Sequence, residues 1–122
     1  MAYLYEDLTY KLRGIFFEVY NQLGPGLSEK IYQRAVIQEL KDKNISYKTE
    51  KTININYKNI KIGENRLDLL IDDKIIIEIK AVDVMHPLFV KQTIAYLKAS
   101  GCKLALLVNF GGDKIAIKRY VN

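Results

Sequence analysis

The stretch Arg66 to Val82, RLDLLIDDKIIIEIKAV, decides the fold because it predicts a single β-hairpin with charged residues at fixed positions. If Asp72-Asp73-Lys74 form a three-residue loop, Ile71 faces Ile75 and Asp68 falls opposite Glu78. A two-residue loop would mix charges into both faces, which is costly wherever one face is buried. In the favoured register one face carries Leu67, Leu69, Ile71, Ile75, Ile77 and Ile79, and the other carries Arg66, Asp68, Leu70, Ile76, Glu78 and Lys80.

Two carboxylates therefore meet across the hairpin at a separation of roughly 5 Å, which is destabilising by itself. Lys80 and Arg66 could offset the repulsion. A divalent ion such as Mg²⁺, which prefers oxygen ligands, could do the same. The alternative is a solvated strand face with cross-strand ion pairs, since charged residues are common on exposed strands. The hairpin alone leaves both interpretations open.

The composition indicates a single soluble globular domain over residues 1–122. A hydrophobic fraction of 49% and a charged fraction of 27% exclude a disordered chain. The sequence shows neither a long apolar run nor a signal peptide, so a cytoplasmic protein without membrane contact is expected. Cys102 is expected to be a packed thiol without a disulfide partner. The net charge of +5 favours an anionic partner, nucleic acid being the commonest.

Hydrophobic periodicity and turn residues predict a mixed α/β fold in which helices cover a sheet. Pro87 suits the first turn of a helix, and Gly101 and Asn44 suit helix ends. Near Lys58-Asn59 a turn is expected, followed by a short strand to Ile62 and a connection through 63–65. The predicted helices span about 6–23, 27–43 and 87–100, and the other predicted strands span 47–57, 103–110 and 114–120.

Three residues outside the hairpin could converge on its charged face. Glu29 projects from the second helix in nearly the same direction as the apolar residues of that helix, although it could instead complement the helix dipole. Gln92 and Tyr96 lie one turn apart on the third helix and could orient a phosphate, or form a structural hydrogen-bonded pair. His86 precedes Pro87 and is expected to start a helix without a chemical role.

Together these residues resemble a known nuclease pattern. Asp68 followed by Glu78-Ile79-Lys80 resembles the PD-(D/E)XK nuclease signature. Glu29 on the preceding helix and Gln92-x-x-x-Tyr96 on the following helix resemble the RecB-like branch of that superfamily. The string Gly26-Leu27-Ser28-Glu29-Lys30-Ile31-Tyr32 resembles the one that names the GxxExxY protein family, and the likeness extends from about Leu12 to Arg119.

The resemblance implies a restriction-endonuclease-like α-β-β-β-α-β core with a central mixed sheet flanked by helices. It also implies Mg²⁺ or Mn²⁺ held by Asp68 and Glu78, with Glu29 and the Ile79 carbonyl as further ligands. Lys80, Gln92 and Tyr96 would then act at the scissile phosphate. Two positions depart from the pattern: Leu67 stands where the signature has Pro, and Phe89 stands where members of the family often have His.

The functional hypothesis is therefore a metal-dependent nuclease that hydrolyses DNA or RNA, with DNA favoured. Lys80 would hold or deprotonate the attacking water, and Arg66, Gln92 and Tyr96 would orient the phosphate. One alternative is a non-catalytic nucleic-acid-binding or partner-associated module on the same fold. Another is a protein-interaction domain whose charged strand face is only solvated. A homodimer is left open.

Overall fold

The computed structural model describes residues 4–122, which form a five-stranded sheet with helices on both faces. None of the helices in these residues is both long and apolar enough to cross a lipid bilayer. The elements in chain order are α1 (Glu6–Leu23), α2 (Glu29–Asp42), β1 (Tyr47–Tyr57), β2 (Ile60–Ile71), β3 (Ile75–Lys80), α3 (Pro87–Ser100), β4 (Leu104–Asn109) and β5 (Ala116–Val121).

The strands lie in the sheet in chain order, β1-β2-β3-β4-β5. Neighbouring strands are antiparallel except for β3 and β4, which pair in parallel and are joined through α3. The mixed α/β prediction is confirmed. All six residues of β4 are buried, as expected for a central strand that is covered on both faces.

Two apolar clusters hold the helices to the sheet. The larger cluster joins α1 and α2 to one face, and the smaller one joins α3 to the other face. The larger contains Leu12, Phe16, Tyr32, Val36, Leu69, Ile77, Leu106 and Phe110, among others. The smaller, which we call the α3-side cluster, contains Ile53, Leu67, Leu70, Ile76, Leu97 and Ala105.

The predicted register of the β2–β3 hairpin is confirmed, because Ile71 pairs with Ile75 and Leu70 pairs with Ile76. Asp72 and Asp73 both have positive φ, at 52° and 55°, which short polar side chains tolerate. The prediction for Leu67 is wrong. Its side chain belongs to the α3-side cluster together with Leu70 and Ile76.

The displacement of Leu67 has a local cause in the backbone. Leu67 and Leu70 contact the same cluster although they are three residues apart, so the alternation of period two is broken between them. Across the sheet, Glu50 lies between Thr49 and Lys51, which pair with Leu69 and Leu67. Glu50 has a φ of 50°, so both strands are irregular at the level of Asp68.

The strand before the hairpin is longer than the sequence indicates. β2 is continuous from Ile60 to Ile71, whereas residues 63–65 were expected to form a connection. Gly63 is a residue type common in turns and Glu64 is charged, but they pair with Ile55 and Asn54 of β1. Cross-strand hydrogen bonding keeps this segment extended in spite of its weak strand propensity.

The helix ends follow local capping rules. His86 caps α3 by accepting a hydrogen bond from the Leu88 amide at 3.0 Å, and Pro87 is the first helical residue, as predicted. Gly101 ends α3 with a φ of 75°. α2 begins at Glu29, two residues later than predicted, because Ser28 is its N-cap.

Candidate active site

The candidate site lies where β2 and β3 separate. Their backbone pairing ends at Leu69 and Ile77. Beyond that point, the amide of Asp68 donates to Glu78 Oε2 at 2.9 Å, and the amide of Ile79 donates to Asp68 Oδ2 at 2.7 Å. Each carboxylate thus bonds to the backbone of the other strand. The structure brings Asp68 and Glu78 together in the gap between the diverging strands.

Both carboxyl groups are held in surroundings that disfavour two negative charges. Glu78 is only 6% exposed. Burial, and then the neighbouring charge of Asp68, raise the pKa of Glu78 to about 8. Burial also raises the pKa of Asp68, against the opposing effects of the Ile79 amide and the Lys80 charge. Near neutral pH this pair favours binding a proton or a cation.

Lys80 completes the group from the end of β3. Its ammonium Nζ lies 4.4 Å from the centre of the Phe89 ring, a cation–π contact with the first turn of α3. The positive charge of Lys80 acts to lower the pKa values of both Asp68 and Glu78. Phe89, which departs from the resembled pattern, therefore contacts the lysine of the signature.

α3 brings Tyr96 towards the same place. Tyr96 is half-buried against the α3-side cluster. Burial raises the pKa of the Tyr96 phenol, and the charges of Glu78 and Asp68 raise it further. Gln92 lies one turn earlier on α3 and is also half-buried.

The other two predicted residues lie at the rim. Glu29 is exposed in the first turn of α2, yet its charge still acts to raise the pKa of Asp68. Arg66 is exposed on β2, and its charge acts on Glu50. Of the predicted residues, the structure thus brings Asp68, Glu78 and Lys80 together, and it places Tyr96 where the charges of Glu78 and Asp68 reach its phenol. Glu29 and Arg66 lie further out.

Two polar residues that the sequence analysis missed support Asp68. Gln33 is 7% exposed, and its side-chain amide donates to the Asp68 carbonyl at 3.1 Å and to Glu50 Oε1 at 3.4 Å. Glu50 also forms an ion pair with Lys30 at 2.9 Å, and its charge raises the pKa values of both site carboxylates. The only signal for this contact in the sequence was a polar residue, Gln33, next to Tyr32 on the side of α2 that faces the sheet.

A second missed feature fixes the chain just after Lys80. Asn109 is buried, and its side-chain oxygen accepts from the amides of Val82 and Gly111, both at 3.0 Å. Its side-chain nitrogen donates to the Val82 carbonyl at 2.9 Å. The Phe110 amide donates to the Lys80 carbonyl at 2.8 Å. We call Asn109, Phe110 and Gly111 the β4 clamp, because they hold the end of β3 in place.

Tyr32 anchors the segment that leads to Glu29. Its ring stacks on Phe110 with centroids 4.7 Å apart and planes at 8°. Its hydroxyl donates to the Gly24 carbonyl at 2.5 Å and accepts from the Leu27 amide at 3.2 Å. The buried tyrosine of the GxxExxY string therefore positions the start of α2 rather than contacting the carboxylates.

The oxygen ligands at the site suit a hard divalent cation, although two carboxylates alone do not complete its coordination shell. Asp68 and Glu78 offer carboxylate oxygens, the ligand type that Mg²⁺ and Mn²⁺ prefer. Within residues 4–122, no group of three or more His, Cys, Asp or Glu side chains is arranged to hold a metal ion. The structure therefore leaves Glu29 outside a common ligand group with the other two carboxylates.

Two carboxylates and a lysine on diverging central strands of a mixed sheet define a nuclease-like site. A family model for the PD-(D/E)XK nuclease superfamily matches residues 6–120. This chain belongs to the PD-(D/E)XK nuclease superfamily. Members of the superfamily generally use divalent metals.

Solved structures share the fold. A protein described as SSO0001 is 27% identical with a TM-score of 0.59, and the match covers 77% of this chain and 50% of that protein. This chain thus spans about half the length of that relative. An alkaline exonuclease (LHK-Exo) from Laribacter hongkongensis is 12% identical with a TM-score of 0.55, over 100% of this chain and 72% of the exonuclease, which shows similarity of fold alone. The comparison with curated proteins gave no match.

Proposed function

We propose that this chain, as one nuclease domain over residues 1–122, hydrolyses phosphodiester bonds of nucleic acid with Mg²⁺ or Mn²⁺. The observation that carries the proposal is the crossed pair in which Asp68 and Glu78 each bond to the backbone of the other strand. A purely solvated strand face would not bury Glu78, half-bury Asp68 and raise the pKa values of both carboxyl groups. We also propose that the chain is a GxxExxY protein of the RecB-like branch.

In this proposal Asp68 and Glu78 hold the cation, with the Ile79 carbonyl as a further ligand, while Glu29 at the rim adds negative charge near the site instead of acting as the further ligand that the sequence resemblance implies. The bound cation would lower the pKa of water and neutralise charge that develops on the phosphoryl oxygens. Glu78, which keeps a proton near neutral pH because its pKa is raised to about 8, would release that proton when it holds the cation.

Lys80 would act on the attacking water. Its ammonium is fixed over the Phe89 ring at 4.4 Å, and the β4 clamp holds its backbone carbonyl. A neutral amine at Nζ would accept a proton from the water, whereas a charged ammonium would orient it. Tyr96 and Gln92 on α3, together with Arg66, would position the phosphate.

The proposal is tested by nucleic-acid cleavage in Mn²⁺ and in Mg²⁺, together with calorimetric titration of each metal. We expect Asp68→Asn and Glu78→Gln to lower cleavage by about a thousand-fold or more and to weaken metal binding. The matched control is Asp73→Asn, which removes an exposed carboxylate that pairs with Lys48 at the far end of the hairpin. This control should cleave like the wild type.

Two results would overturn the proposal. One is wild-type cleavage no faster than that of Asp68→Asn. The other is metal affinity that is unchanged by Glu78→Gln. If nucleic acid binds without cleavage and a chelator has no effect on that binding, the chain is a non-catalytic binding module.

A further inference from the structure

The β1–β2 hairpin extends well past the rest of the sheet. β3 pairs with β2 at residues 69–71, and Ile53 of β1, at 9% exposed, packs with the α3-side cluster. Beyond it, residues 54–57 pair with residues 60–64 across the hairpin, with a register shift between Ile55 and Asn56. We call residues 54–65 the arm. Within the described residues, the arm is a two-stranded ribbon that projects from the sheet beside the candidate site.

The end of the arm is narrow and unusually apolar for an exposed turn. Lys58 and Asn59 have φ values of 49° and 66°, so a tight two-residue turn joins the strands. Tyr57, Ile60 and Ile62 around this turn are 61%, 67% and 65% exposed. Large side chains exposed together at the tip of a ribbon are typical of a contact surface.

The arm and its base carry much of the positive charge of the chain. The arm itself contains Lys58, Lys61 and the single acid Glu64, for a net charge of +1. Lys51 and Arg66 at its base bring the net charge of residues 51–66 to +3, out of +5 for the whole chain. The ion pair of Lys61 with Glu64, at 3.7 Å between two exposed side chains, neutralises little of this charge. The partner that fits this surface is therefore an anion.

We propose that the arm binds in the major groove of double-stranded DNA next to the cleavage site, an inference that rests on the proposed nuclease function. Two strands lie about 4.8 Å apart, and the major groove, about 12 Å wide, admits such a ribbon. From Asn65 to Ile60 the arm spans about 17 Å, or roughly five base pairs.

The side chains of the arm match the chemistry of that groove. Asn54, Asn56 and Asn59 offer amides of the kind that pair with adenine, and Ile60 and Ile62 can contact thymine methyl groups. Lysines at the tip would lie near phosphates. A second copy of the chain fits less well, since two arms would bring like charges together. Double-stranded RNA fits less well because its major groove is too narrow.

The test measures binding by fluorescence anisotropy in a chelator, where no cleavage occurs, with a 24-base-pair DNA duplex and an RNA duplex of the same sequence. The arm variant is Lys58→Ala/Lys61→Ala. The matched control is Lys98→Ala/Lys103→Ala, which removes the same charge from the end of α3 and the residue before β4. Circular dichroism checks that all variants fold.

We expect the arm variant to bind DNA about fifty-fold more weakly at 0.1 M salt, and its salt slope to fall by about two, from the loss of two phosphate contacts. RNA binding by the arm variant, and DNA binding by the control, should change less than about three-fold. Unchanged DNA binding by the arm variant would overturn the proposal. An equal loss on RNA would overturn the groove assignment, and a wild-type dimer that the arm variant dissociates would assign the arm to a second copy.

Cleavage in Mn²⁺, measured separately, distinguishes the two proposals. If the wild type cleaves but the arm variant binds DNA normally, the arm proposal fails and the nuclease proposal stands. If the arm variant loses DNA binding but the wild type never cleaves, the nuclease proposal fails and the arm remains a DNA-binding element.

Discussion

Raising the pH from 5 to 9 in the absence of divalent metal is expected to destabilise the folded protein through Glu78. The pKa of Glu78 is about 8 in the folded state, against an ordinary value of 4.5. The folded protein therefore retains a proton that the unfolded chain loses above pH 4.5. This contribution to stability is fully present below pH 4.5 and is lost as the pH rises to about 8.

The size of the effect follows from the two pKa values. A change from 4.5 to about 8 corresponds to about 5 kcal/mol of unfolding free energy. That is comparable to the whole stability of many small domains, which is about 5 to 15 kcal/mol. Asp68, whose pKa is also raised, contributes in the same direction.

Other groups with shifted pKa values act outside this pH range. Glu50 and Asp73 have lowered pKa values, so their contributions are lost only at acidic pH, below the ordinary carboxyl range. Lys43 and Tyr96 have raised pKa values starting from 10.5 and 10.0, so they act in more alkaline solution. The interval from pH 5 to 9 thus isolates the carboxylate pair.

The assay is urea denaturation in a chelator at pH 5, 7 and 9, with Glu78→Gln and the exposed control Glu64→Gln. The wild type and the control should lose several kcal/mol between pH 5 and 9, whereas Glu78→Gln should lose much less. Added Mn²⁺ should restore the stability of the wild type at pH 9 by binding the folded state. Equal pH dependence in the wild type and Glu78→Gln would refute the reasoning.

Three further predictions concern the residues that hold the site. Gly111→Ala should destabilise the fold by about 3 kcal/mol, since the added methyl carbon would overlap the Val82 backbone. The control Gly14→Ala, in the open middle of α1, should instead stabilise the fold by about 0.5 to 1 kcal/mol. Urea denaturation of both variants measures these changes. Asn109→Ala should cost about 2 to 3 kcal/mol by leaving buried amides unbonded, and a loss under about 0.5 kcal/mol would contradict the β4 clamp. Tyr32→Phe keeps the ring but loses two hydrogen bonds to the loop before α2, which should lower the free energy of unfolding by about 1 to 2 kcal/mol. Amide hydrogen exchange in that loop should become faster, and unchanged exchange would refute the role of Tyr32 in holding the loop.

The hairpin was predictable because its information is local. The period of two and the polar turn fix the register over residues 69–77, which in turn predicts that Asp68 and Glu78 lie opposite each other. Capping residues such as His86 and Gly101 were predictable for the same reason, since each acts within one helical turn.

The parts that were not predictable depend on contacts between distant segments. Leu67 changes face because both strands are irregular opposite Glu50, and no pattern within β2 reveals that. Gln33 meets the Asp68 carbonyl across 35 positions of sequence, and Asn109 meets Val82 across 27. Hydrogen bonds from polar side chains to backbone groups far away in sequence leave no periodic pattern from which they could be predicted.

The parallel pairing of β3 with β4 has a consequence for the order of folding. β1, β2 and β3 form a meander of nearby segments, whereas β4 reaches β3 only after α3 has crossed the sheet. Strands that are far apart in sequence pair late in folding, because closing the long loop between them costs conformational entropy. We therefore expect Asp68 and Glu78 to meet before the folding transition state, and the lysine end of β3 to be fixed after it, when β4 pairs with β3. Weakening the β4 clamp should then accelerate unfolding and leave the refolding rate almost unchanged.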